Sequence, residues 1–362
     1  MDVRAKRAGG APRQLEMPLP PAAAPYRPAA LPVLDERLRG TKFVTIESRT
    51  ALNSPIQTGV DFWSLNPYVG CEFGCTYCYA RYAHRYVVER AHDAGKLTEP
   101  EFTDFRGAHG WEAFENRIFV KQGVVAALER DLQRYHRLAT RAPIVVGTAT
   151  DPYQPAERRF RLTRTVLERL ARCEGLSVGI ITKSPLVARD VDVLLRLQER
   201  NDLEVYVSLI ALDAPLIRKV EARSPVPAAR LRALQKLTDA GLNAGLIMAP
   251  VLPGITDDMS HLEALFRAAR VAGARFIHAG PLRLYAAVRD RFLPVLERHF
   301  PPLAERYRRA YARQSGAPAA YARAHRRRVR RLQARFGFPV SDGMVDRYKH
   351  RLPVLQGDLG LQ

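Results

Sequence analysis

Long apolar runs are missing from this chain of 362 residues. No segment approaches the roughly 20 residues a membrane-spanning helix needs, and no apolar stretch follows Arg4, Lys6 and Arg7 as it would in a secretory signal. A soluble, cytoplasmic protein with no membrane partner is expected. Cysteine is scarce too. There are four, and three of them fall between positions 71 and 78, which excludes a disulfide framework and suits a metal or cluster in a reducing compartment. Lysine is nearly absent, with 8 of the 57 basic residues, the rest being arginine. The net charge of +20 suits a polyanionic partner. Abundant Arg and Ala is also what a GC-rich gene encodes, so the distribution of charge carries more information than its total.

What is present is a repeated β-α pattern. With 47% hydrophobic residues the chain can bury one large core. Residues 1–40, rich in Pro and Ala between Ala11 and Pro32, bury too little to offset ordering entropy and are expected to be disordered. Short apolar runs then start at Ile118, Ile144, Ser177, Leu203, Ala244 and Phe276, a further strand is expected over 62–69, and amphipathic stretches lie between the runs. Helices are predicted over 124–138, 163–172, 191–200, 228–241 and 261–273, the last two closing on Gly241 and Gly273. The spacing suits parallel strands with helical crossovers, in a barrel or an open doubly wound sheet. Active sites in either gather at the strands' C-terminal ends, where Lys121, Thr150, Asp151, Lys183 and Ser208 recur. The resulting organisation is 1–40 disordered, 41–290 an α/β core and 291–362 a basic, mainly helical extension. Between Pro301 and Arg351 that extension carries 14 Lys and Arg against 3 acids, either as a solvated helix or as a phosphate-contacting surface around Arg326, Arg327, Arg328, Arg330 and Arg331.

The segment NPYVGCEFGCTYCYARY places Cys71, Cys75 and Cys78 in the spacing Cys-x-x-x-Cys-x-x-Cys. Three close thiolates fill three irons of a cubane and leave the fourth open to an external ligand. Gly70 and Gly74 let the backbone wrap closely around such a group. A Cys3His zinc site completed by His84 competes with this reading. Zinc modules, however, usually split their ligands between two knuckles, whereas all three thiols here share one loop. Cys173 stands apart on a predicted helix and reads as a structural thiol.

The loop and the β-α repeat resemble the radical S-adenosylmethionine (SAM) superfamily, and within it the branch related to spore photoproduct lyase. The resemblance runs from about Asn53 to Arg291 and is carried by NPYVGCEFGCTYCYAR, GTATDPYQPAE, ITKSP, YVSL and APVLPGITDD. It implies a partial (β/α)6 barrel. It also implies a [4Fe–4S] cluster on Cys71, Cys75 and Cys78 with SAM at the open iron, reductive cleavage to a 5′-deoxyadenosyl radical, and an electron donor of flavodoxin or ferredoxin type. By the same resemblance Tyr77 meets the adenine, Tyr79 follows the last cysteine as in the lyase branch, and Thr150, Lys183 and Ser208 contact SAM. One departure matters. The branch's hydrogen-donating cysteine corresponds to Thr148, whose O–H bond is too strong for that role, so lyase action on spore photoproduct is not expected. The expected function is hydrogen abstraction, with a nucleic-acid base as candidate substrate. The alternative is a non-catalytic iron–sulfur or zinc protein that binds nucleic acid.

Overall fold

The computed structural model describes residues 40–95, 97–106, 113–138 and 142–340. Expectations for residues 1–39 and 341–362 therefore lie outside the described residues. Among the described residues ten strands are formed: β1 (Lys42–Glu47), β2 (Leu52–Asn53), β3 (Trp63–Leu65), β4 (Tyr68–Val69), β5 (Arg117–Gln122), β6 (Ile144–Val146), β7 (Ser177–Thr182), β8 (Asp202–Ser208), β9 (Ala244–Val251) and β10 (Ile277–Pro281). The main sheet runs β10-β9-β8-β7-β6-β3-β2. Its six strands from β3 to β10 are parallel, with β2 antiparallel on the edge. This is the unclosed, six-stranded α/β arrangement expected of a partial barrel.

Crossover helices cover one face because their apolar residues recur every three or four positions. Val166, Leu167 and Leu170 do so on the helix Leu162–Leu170, and Val193, Leu194 and Leu197 on Val191–Arg200. Leu262, Leu265, Phe266 and Ala269 do so on Met259–Val271. These side chains join Val178, Ile180, Val205 and Leu246 of the sheet in one core. Gly241 and Gly273 follow their helices with left-handed φ of +86° and +72°, as expected at C-caps.

Two strand expectations are corrected. The stretch 62–69 is not one strand: it breaks at Asn66 and Pro67 into β3 and β4, which lie in different sheets. Pro67 has no N–H for a ladder, and its carbonyl accepts instead from the Lys121 amide. The Ile118 run also leaves the barrel. As β5 it pairs with β1 and β4 in a separate three-stranded sheet, which removes Lys121 from the face that carries Thr150, Lys183 and Ser208.

After β10 the helices Ala286–His299, Pro301–Ala310 and Ala319–Arg335 fold back onto the molecule. Phe292, Leu296, Ala304, Tyr307 and Tyr311 share a core with Cys71, Phe73 and Tyr77. Val329 and Leu332 join the main core, and Gln333 Nε2 donates to the Ile277 carbonyl of β10 at 2.9 Å. Among the described residues no helix is long and apolar enough to cross a membrane.

Candidate metal centre and its polar surroundings

The cysteine loop leaves β4 at Val69 and enters the helix Arg81–Asp93. Two glycines make its path possible. Gly70 has φ +88°, and a Cβ there would lie 2.9 Å from the carbonyl oxygens of Phe114 and Arg117. Gly74 has φ +64°, and its Cβ would lie 2.9 Å from Glu115 Oε2 and 3.0 Å from Arg223 Nη2. Side chains thus cannot occupy these positions without displacing backbone or a buried ion pair.

Distant parts of the chain hold the loop's polar backbone. The Gly70 carbonyl accepts from Thr150 Oγ1 at 2.5 Å and from Gln154 Nε2 at 3.1 Å. The Cys71 amide donates to the Phe114 carbonyl at 2.8 Å, and Thr76 donates from its amide and its hydroxyl to the Val220 carbonyl. Arg223 Nε donates to the Glu72 carbonyl at 2.8 Å, and Arg81 Nη2 to the Cys75 carbonyl at 2.9 Å. Buried Glu115 draws Arg81, Arg223 and Arg291 around itself, leaving local positive charge behind the thiols.

Cys71, Cys75 and Cys78 are free thiols, the first two buried and the third half-buried. Burial pushes all three up, while Lys183 opposes this at Cys75 and Arg81 at Cys78. Cys75 feels the charge of both other thiols and Cys71 that of Cys78, so the loop collects them in one neighbourhood. Among the described residues no three His, Cys, Asp or Glu side chains converge closely enough to hold one metal ion. Three thiols carried by one short loop suit a cluster that takes one thiolate per iron and leaves an iron open. His84 does not complete a zinc site. It faces Phe114 and Phe119, its Nε2 is 3.0 Å from the Arg117 carbonyl, and burial pushes its pKa down to about 4. Cys173 packs in the main core beside Arg169, whose Nη1 is 3.4 Å from its sulfur.

Tyr77, Lys183 and Ser208 come together from three elements. Lys183 Nζ lies 3.2 Å from Ser208 Oγ, 3.9 Å from Glu221 Oε1 and 5.9 Å from the Tyr77 ring centroid. The residue that unites them is Glu221. It is fully buried, accepts from the Tyr77 hydroxyl, from Ser224 Oγ at 2.7 Å and from Arg230, and is itself held at about 2 because Arg230 and Lys183 outweigh its burial. For Lys183, burial is likewise outweighed by Cys75 and Glu221, and its pKa is raised. Arg230 also donates to the Ser208 carbonyl at 2.9 Å.

Glu221 and Arg230 escaped the sequence reading, although a signal existed. Arg230 occupies the buried stripe of its helix with Ala233, Leu234 and Leu237, and an arginine at such a position requires a buried anion. Thr150 is placed apart from this group, with its hydroxyl turned into the cysteine loop. Asp151 lies beneath Lys183, accepting from its amide and from Thr182 Oγ1, both at 2.7 Å.

At the ends of β3 and β6, Thr148 Oγ1 pairs with Ser64 Oγ, and Asn66 Nδ2 donates to both at 3.0 Å. Tyr79 donates its hydroxyl to the Thr148 carbonyl. Lys121, on the other sheet, has its pKa lowered to about 8 by burial. On the C-terminal helix Arg326, Arg327, Arg330 and Arg331 face outward. Arg328 does not: it donates to the Asp257 carbonyl at 2.9 Å and lies over the Tyr321 ring.

Residues 65–266 match the family described as the Radical SAM superfamily. An uncharacterized protein of Mycobacterium tuberculosis is 33% identical over 299 residues, covering 82% of each chain. One from Methanocaldococcus jannaschii is 26% identical over 216 residues, covering 60% of this chain and 70% of its own. Among solved structures, spore photoproduct lyase complexed with dinucleoside spore photoproduct superposes with a TM-score of 0.56 at 14% identity, covering 81% of this chain and 79% of that one. A mutant of the same lyase gives a TM-score of 0.58, covering 85% of this chain and 84% of its own. At that identity the likeness is one of fold.

Proposed function

The chain belongs to the radical SAM superfamily, and we propose that it cleaves SAM reductively at a [4Fe–4S] cluster held by Cys71, Cys75 and Cys78, to abstract hydrogen from a nucleic-acid base. The observation that carries this reading is the meeting of two constellations: the three-thiol loop, and the Lys183–Ser208–Glu221–Tyr77 group whose lysine acts electrostatically on Cys75 and Cys78. When bound, such a cluster supplies the electron that breaks a carbon–sulfur bond of SAM and so generates a 5′-deoxyadenosyl radical.

The protein's part is to bind and orient. Lys183 offers an ammonium to a carboxylate or ribose oxygen, Ser208 a hydroxyl, and Tyr77 an aromatic face, while Glu221 holds Tyr77 and Lys183 directly and the Ser208 backbone through Arg230. Burial of Cys71 and Cys75 limits the access of water to their thiols. The hydroxyls of Ser64, Thr148 and Tyr79 meet at the ends of β3 and β6, with Thr148 at the position where the resemblance puts the lyase branch's hydrogen-donating cysteine. Support for a base as substrate comes from the fold shared with the lyase bound to a dinucleoside and from the outward arginines of the helix Ala319–Arg335. An acidic flavodoxin or ferredoxin suits the positive surroundings of the loop as reductant.

Anaerobically reconstituted protein is expected to hold about four irons and four sulfides per chain. Replacing Cys71, Cys75 or Cys78 by Ala should abolish retention, and Cys173→Ala should not. Stoichiometric zinc without sulfide would contradict the proposal.

A further inference from the structure

We propose that Tyr82 and Tyr86 on the helix Arg81–Asp93, with Tyr285 and Arg283 beside them, form a stacking platform that leads a single strand of nucleic acid to the cysteine loop. This rests on the nucleic-acid reading above and assigns it a surface that the sequence did not suggest.

Tyr82, Tyr86 and Arg90 follow one another at intervals of four residues, which places them on one face of the helix Arg81–Asp93, and Tyr79 lies just before its start. All three tyrosines are exposed, at 43%, 52% and 57%, and Tyr285 at 41%. Single exposed aromatics need no explanation, but a contiguous set at the edge of a site does. These are contiguous. The rings of Tyr79 and Tyr82 stack with centroids 6.4 Å apart at 27°, and Tyr285 lies close enough to act electrostatically on both hydroxyls. Arg90 continues the row, with its guanidinium 5.4 Å from the Tyr86 ring centroid and Nη1 2.8 Å from the Tyr86 oxygen. The row begins where the chemistry is, since Tyr79 follows Cys78 and is tied to the end of β6 through the Thr148 carbonyl.

The dimensions and charge favour a single strand. Four residues of helix from Tyr82 to Tyr86 rise about 6 Å, which matches about two base steps at roughly 3.4 Å. None of the four positions in the row is acidic, and Arg283 is exposed beside Tyr79 without an acidic partner among the described residues. Aromatic faces that accept any base, flanked by guanidinium groups for phosphates, are how single strands are held without sequence preference. In a duplex those base faces are already covered, so duplex should bind less tightly here.

The test is anisotropy of a short fluorescein-labelled oligothymidylate titrated with anaerobic holoenzyme over a range of salt. Tyr82→Ala and Tyr86→Ala should each weaken binding by about 5- to 150-fold, with the salt slope unchanged because the phosphates keep all their cationic partners. Tyr86→Phe, which keeps the ring, should bind as the native chain does. Arg283→Gln should reduce the slope by about 0.7. Iron content and substrate-free SAM cleavage should be native in all four variants, since none of these side chains touches the thiols or the Lys183 group. If native holoenzyme binds no oligonucleotide, both the platform and the nucleic-acid reading fall. If it binds and both tyrosine-to-alanine variants bind equally well, only the platform falls and the arginines of the helix Ala319–Arg335 are the contact surface. Displacement of the oligonucleotide by polyglutamate at equal charge would identify an acidic protein as the partner and overturn the platform.

Discussion

Replacing Glu221 by Gln removes one charge and almost no volume, and should destabilise the protein severely. Glu221 and Arg230 both have fully buried side chains, so the substitution leaves a guanidinium without its anion. Breaking such a pair from one side costs about 3–5 kcal/mol. The carboxyl's pKa points the same way, since Arg230 and Lys183 outweigh its burial and hold it at about 2, below its ordinary 4.5. Because the folded-state pKa is the depressed one, this stabilisation is complete above about pH 4.5 and is lost as the pH falls through about 2. Urea unfolding of the cluster-free protein at pH 7 should therefore show a loss of about 3 kcal/mol for Glu221→Gln, a difference that shrinks in acid as native Glu221 protonates. The double variant Glu221→Gln with Arg230→Met should recover much of it, because the orphaned charge is gone. A single-variant loss below about 1 kcal/mol, the level of a surface pair, would refute the view that this carboxylate organises the site.

Lys183→Ala should weaken SAM binding by at least about tenfold, the loss of one charged hydrogen bond, while leaving iron and sulfide unchanged; unchanged affinity would remove Lys183 from the SAM site. Changing Arg326, Arg327, Arg330 and Arg331 together to Gln should lower the salt dependence of duplex DNA binding by about 0.9 for each phosphate that these arginines neutralise. Arg328 is left out because its guanidinium is engaged by Asp257, and identical slopes for the native chain and the variant would make this helix merely a solvated one.

Features written locally were legible in the sequence. The cysteine loop stood out because three cysteines fall within one short segment, with glycines where the backbone turns sharply. The crossover helices could be read because their buried positions recur every three or four residues. What depends on pairing across the chain was not legible. Nothing in the Ile118 run says that β5 joins β1 and β4 rather than the barrel, and the break at Pro67 shows only once two sheets compete for 62–69. Glu221 lies 144 residues from the Tyr77 it binds, a separation no spacing rule covers. Thr150 donates its hydroxyl to the Gly70 carbonyl, another contact that no spacing in the sequence signals. The arginines near the C-terminus looked alike in sequence, and only the packing of Val329 and Leu332 separates inward Arg328 from its outward neighbours.

The central claim is that this three-thiol loop and its lysine-centred group cleave SAM. It is tested most directly by incubating anaerobically reconstituted protein with dithionite and SAM and measuring 5′-deoxyadenosine. Slow formation without added substrate is expected from the native chain and from Cys173→Ala, and none from Cys71→Ala. A native protein that retains its full complement of iron and sulfide yet forms no 5′-deoxyadenosine, or a Cys71→Ala variant that forms as much as native, would contradict the account.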